Sequence, residues 1–119
     1  NAPPPDPKQR IYAKAEESIV TFSSPDTKVK LTQWAAQLRT VVATYYDVPA
    51  KAVTSTEFLS LLRTRNLPVG EMNEVVRLFE QLNEMQFSQK DIPACDLART
   101  QKTLLQYIKS KIIIGNPHS

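Results

Sequence analysis

Between residues 31 and 45 apolar side chains return at three- and four-residue steps: Leu31, Trp34, Leu38, Val41, Val42 and Tyr45, with Ala35 between them. That spacing describes one face of a helix about four turns long. Ser24-Pro25-Asp26 supplies its start, with Ser24 as the cap, Pro25 in the first helical position and Asp26 against the positive end of the dipole. Asp47, ahead of Pro49, marks its end.

The same reading continues along the chain. Ile11, Ala15 and Ile19 form a stripe in a short first helix over residues 8–20. Thr54-Ser55-Thr56-Glu57 has the capping-box spacing, and Phe58, Leu61 and Leu62 line the inner face of a helix ending near Arg65-Asn66. After the break at Asn66-Leu67-Pro68-Val69-Gly70, Met72, Val75, Val76, Phe79 and Leu82 form the next stripe. Gln86-Phe87-Ser88 leaves that helix, with Phe87 expected to turn back into the core. A last helix starts near Asp91 to Pro93, carries Leu97, Leu104, Leu105, Ile108 and Ile112 inward, and is expected to stop at Gly115. The fold class is all-α: a small irregular bundle of four to five helices, orthogonal or antiparallel. Residues 8–114 make the helical domain, 1–7 a tag remnant (Asn1-Ala2) and proline-rich linker, and 115–119 a C-terminal tail. On that reading the natural chain continues upstream of Pro3.

Composition agrees with one soluble-type helical core: 119 residues, 41% hydrophobic, 23% charged, and only two glycines. A net charge of +3 is a mild excess, enough for weak attraction to acidic partners and short of a dedicated polyanion binder. Cys95 is the only cysteine, which excludes an intrachain disulfide and a cysteine-built zinc site. No apolar run approaches the roughly 20 residues that cross a bilayer.

Two helices across a short break invite a DNA-reading interpretation, but the second would present Glu71, Glu74, Glu80 and Glu84, with Arg77 its one basic residue. Carboxylates at that position repel phosphates, so no nucleic acid is expected there. The last helix is the better basic candidate, because Arg99, Lys102 and Lys109 lie away from Leu97, Leu104 and Ile108, with Lys111 nearer the apolar edge. Such a strip is either a solvated helix face or a docking strip for an acidic protein surface or anionic lipid. Tyr45 and Tyr46 point about 100° apart, so one packs and the other is partly exposed; an exposed Tyr46 would suit a partner anchor. Tyr46, Arg99, Lys102 and Lys109 are therefore the candidate interaction residues. Catalytic machinery is not evident. His118 is alone in the tail, Cys95 lacks a positioned base and is expected to be a buried or partly buried inert thiol, and the chain has no phosphate-cradling glycine loop or two-histidine motif. No metal, cofactor or enzymatic activity is expected.

A long helix with Leu38 and Tyr45 leads to Val48-Pro49, then to Thr54-x-x-Glu57-Phe58-Leu59 with Leu61-Leu62. Leu67-Pro68, Leu78-Phe79-x-x-Leu82-Asn83-x-x-Gln86-Phe87 and a closing amphipathic helix follow. Over residues 28–112 this order resembles the C-terminal cytoplasmic helical domain of BatD-like (Bat aerotolerance, oxygen tolerance) membrane proteins. Members of that family often carry Asp and Arg-Phe where this chain has Asn83 and Gln86-Phe87. The resemblance implies a bacterial inner-membrane protein with one span upstream, this domain on the cytoplasmic side, and no catalytic residues in the region. Implied partners are Bat-type proteins with von Willebrand A domains and a MoxR-type AAA+ ATPase. The alternative is a basic helical domain that binds nucleic acid or anionic lipid through Arg99, Lys102 and Lys109.

Overall fold

The computed structural model describes residues 7–49 and 54–114, the side chains of 113 and 114 excepted. Five helices and no strand occur among them: α1 Pro7–Thr21, α2 Thr27–Tyr46, α3 Ser55–Arg63, α4 Val69–Gln86 and α5 Ala94–Ile114. The stop expected at Gly115, the residues before Pro7 and the tail with His118 lie outside the described residues.

Local chemistry sets the boundaries. α2 is capped by Asp26, whose carboxylate accepts from the amides of Lys28 and Val29. Ser24 sits two residues farther out and accepts from the Asp26 amide at 3.1 Å, so the cap lies two residues along the chain from the one expected. Asp is the better acceptor for two amides because its carboxylate also meets the dipole. Asp47 closes the helix in the left-handed conformation at φ 55°, and its amide and that of Val48 return to the Ala43 carbonyl. Thr54 caps α3 by accepting from the Glu57 amide at 3.2 Å. α3 ends at Arg63, and Asn66, at φ 54°, supplies the left-handed turn into Pro68. Val69 and Gly70 belong to the first turn of α4 and not to the break.

Four long helices run alternately up and down. Tyr12 packs near Tyr45, with ring centroids 6.2 Å apart, and Lys8 reaches Asp47 at 3.1 Å, so the start of α1 lies beside the end of α2. Lys28 near the start of α2 donates to the carbonyls of Met85 and Ser88 at 2.8 and 2.7 Å, satisfying the C-terminal end of α4. Gln81 near the end of α4 donates to Thr100 near the start of α5 at 3.1 Å. Gln101 donates to the Ile19 carbonyl at 3.2 Å, closing the ring from α5 to α1. The result is an antiparallel up-down-up-down arrangement α1-α2-α4-α5. The short α3 is inserted between α2 and α4 and stacks Phe58 on Phe79 at 5.7 Å.

The stripes expected in α2 and α4 meet in this core. Leu31, Trp34, Leu38, Val41, Val42, Phe58, Leu62, Val75, Phe79, Leu82, Leu104 and Ile108 are buried. Four apolar placements differ from expectation; in α4, Leu78 is buried while Val76, expected on the stripe, is half-buried. Tyr12 is buried and Ile11 is 37% exposed, because α1 presents the 12-15-19 line to α2 and α5. Leu61 is 41% exposed, since a nine-residue helix touching mainly one neighbour buries only Phe58 and Leu62. Phe87 is 71% exposed: as the C-cap of α4 its backbone is tied to Asn83 and Met85, which leaves the ring outside the bundle.

Candidate interaction surface

The bundle directs the basic residues of α5 outward. Arg99, Lys102 and Lys109 are all exposed on that helix, and their ion pairs are long or missing. Arg99 lies 3.8 Å from Asp96 one turn earlier, and Lys109 lies 3.9 Å from Glu16 of α1. Lys102 has no ion pair within 4.0 Å among the described residues. Between Lys102 and Lys109 runs a shallow groove of about 300 Å³ lined by Ala98, Gln101, Leu105 and Gln106. Pairs this exposed hold the side chains weakly, so their charge remains available to a partner.

Tyr46 does not share that face. It ends α2, is half-buried, and donates its hydroxyl to Glu71 Oε2 at 2.7 Å. The same carboxylate receives Lys111 Nζ on its other oxygen at 3.3 Å. Lys111 lies about 180° round α5 from Lys102 and about 200° from Lys109, so the contact with Tyr46 is on the opposite side of the helix. Three of the four candidate residues are thus exposed along one helix, over about 15 Å of its axis, and the fourth is engaged by Glu71 on α4.

What the sequence reading missed is the environment of Lys111. Only 3% exposed, its Nζ stands 4.4 Å from the Tyr45 ring centroid, 5.0 Å from Tyr107 and 5.7 Å from Tyr46. An ammonium over three aromatic faces and beside a carboxylate is compensated by both cation–π attraction and ion pairing. The Tyr46 hydrogen bond, joined by the charge and hydrogen bond of Lys111, holds the Glu71 carboxyl below its ordinary value against the opposing effect of burial. Burial, together with the hydrogen bond to Glu71, pushes Tyr46 up. Burial and the charges of Glu74 and Glu71 push Tyr107 up. The signal for this box was present in part: Lys111 follows Leu104 by seven residues and falls within about 20° of its line. Its partner carboxylate, 40 residues away, had no local signature.

Two other features complete the surface. A cavity of about 480 Å³ at the α4–α5 connection is lined by Gln81, Met85, Ile92, Asp96, Arg99 and Thr100 among others. Some of its polar groups meet one another: Arg99 lies 3.8 Å from Asp96, and Thr100 accepts from Gln81 while donating to Met85 Sδ at 3.3 Å. Cys95, expected buried or partly buried, is exposed in the first turn of α5, because the connection leaves that turn outside the bundle. Its Sγ lies 3.9 Å from Asp96 Oδ1. Among the described residues no group of three histidine, cysteine or acidic side chains is placed to hold a metal ion. No described helix is long and apolar enough to cross a membrane. Comparison with protein-family models, with curated proteins and with solved structures yields no match.

Proposed function

We propose that this chain is a non-enzymatic protein-interaction domain. Its biological setting is the one implied by the BatD-like sequence order: the cytoplasmic part of a bacterial inner-membrane Bat-type protein, concerned with aerotolerance or stress. There it works with a MoxR-type AAA+ ATPase and with partners bearing von Willebrand A domains. A membrane span upstream of Pro3 is part of that reading.

One observation supports it above the rest. Lys111, the cation drawn into the bundle, is held by Glu71 and three tyrosine rings, while among the described residues Lys102 on the outward face of α5 has no ion pair and Lys109 a long one. Charge held inside stabilises a scaffold; charge left outside, beside a shallow groove, is available for recognition. Nucleic acid or anionic lipid is the competing occupant of the same three cations.

Chemical cross-linking in a native membrane extract, followed by mass spectrometry, tests the proposal. Adducts from a MoxR-type ATPase or a Bat-type protein, mapped to this chain and abolished by unlabelled domain, are expected. Recovery of neither class defeats it. The competing reading predicts binding to DNA or anionic vesicles that falls steeply with salt, in proportion to the phosphates neutralised.

A further inference from the structure

Ala98 and Leu105 stand seven residues apart on α5, as do Lys102 and Lys109. Seven residues turn a helix through about 700°, which returns each pair to within about 20° of one line with its members about 10.5 Å apart along the axis. Two lines result, one small and apolar and the other basic, separated by about 40°. Their relation is that of a coiled-coil seam position to its flanking e position, where charge chooses the partner helix. The inward line of α5, through Thr100, Leu104, Tyr107, Ile108 and Lys111, is already consumed by the bundle. This second line is consumed only in part: Leu105 is half-buried and packs against the core, as expected, while Ala98 and Lys102 are exposed and the Lys109 side chain is 64% exposed. Val20 of α1, one turn beyond the Glu16 that faces Lys109, is 57% exposed and adds apolar surface.

We infer that this face of α5 receives an amphipathic helix of a partner protein whose flank is acidic, laid along α5 with carboxylates at heptad spacing opposite Lys102 and Lys109. The inference rests on the interaction-domain reading proposed above. Charge selects the occupant, because Lys102 has no ion pair among the described residues and Arg99 extends the same sign along the helix. A polyanion fits less well, since Asp96 and Glu16 stand among the three cations and would face its phosphates.

Fluorescence anisotropy with designed peptides of about 20 residues, about 30 Å long as helices, tests it. One peptide carries a leucine–alanine seam with glutamates at heptad spacing on the flank. Two matched peptides carry glutamine or lysine at those positions. The acidic peptide is expected to bind the wild-type chain about tenfold tighter than the glutamine peptide at low salt. Lys102→Glu weakens it, and the double variant Lys102→Glu/Lys109→Glu weakens it about tenfold and shifts preference to the lysine peptide. Both variants retain the wild-type circular dichroism spectrum, since these side chains are exposed. Equal binding of the acidic and glutamine peptides, or binding of neither, overturns the inference. So does binding of anionic vesicles or DNA through the same lysines with indifference to the acidic peptide. If the peptides fail while a MoxR-type or Bat-type partner still cross-links to another face, the docking surface is refuted and the interaction-domain reading stands.

Discussion

Lys111→Met and Lys111→Ala separate the two contributions that hold α2, α4 and α5 together at their meeting point. Methionine keeps a flexible apolar stem and removes the charge. Alanine removes the charge and three methylenes as well. At about 0.8 kcal/mol per buried methylene, the stem accounts for about 2.4 kcal/mol. Three tyrosine faces within 6 Å of the ammonium contribute about 0.5–2 kcal/mol. The Glu71 side chain is 36% exposed, so the ion pair is discounted for solvent screening to at most about 1 kcal/mol. Lys111→Met is therefore expected to cost about 1–2 kcal/mol and Lys111→Ala about 3.5–4.5 kcal/mol. Equilibrium urea unfolding followed by the fluorescence of Trp34, the single tryptophan, measures both at constant m-value. A methionine variant as stable as wild type would refute the reasoning, because the box would then act by apolar packing alone.

Further expectations follow from other residues. The Glu71 carboxyl is held below its ordinary 4.5, so its stabilising contribution is present above that pH and is lost as pH falls through the lower folded value. The stability advantage of wild type over Glu71→Gln should accordingly shrink on acidification below about pH 4.5; an advantage that grows instead contradicts the assigned hydrogen bond and ion pair. Phe58→Ala should cost about 3–5 kcal/mol, while Phe87→Ser should change stability by less than about 0.5 kcal/mol, and similar urea midpoints for the two would show Phe87 to be packed. Cys95 should be labelled by a thiol reagent in the native protein without unfolding, and Cys95→Ser should leave stability and partner binding unchanged. Labelling only after unfolding would place the thiol inside.

The helices themselves were largely legible, because each long one repeats its apolar residues at a helical period and α2, α3 and α4 carry recognisable ends. Thr54 with Glu57, Asp47 before Pro49, and Pro68 at the head of α4 are local signals, and local signals survive in sequence. Contacts between distant segments are less visible. Nothing near Lys28 announces that it satisfies the end of α4, and nothing near Lys111 announces Glu71. The errors at Ile11, Leu61 and Phe87 have one cause. Hydrophobicity shows that a side chain prefers burial, whereas neighbouring helices decide which side chains are covered. Cys95 follows the same rule, being small and apolar in character but placed on a turn that nothing covers. The basic strip was readable because Arg99, Lys102 and Lys109 share one helix, so their grouping needed only the helical period. Tyr46 lay beyond that method, since its hydroxyl partner is 25 residues away on α4.

Binding of the purified domain to a purified MoxR-type ATPase and to a Bat-type von Willebrand A protein, measured by titration at low and moderate salt, probes the account at its centre. Saturable association with at least one of them, weakened about tenfold by Lys102→Glu/Lys109→Glu and untouched by Cys95→Ser, is the predicted result. No association with either protein at low salt would contradict it.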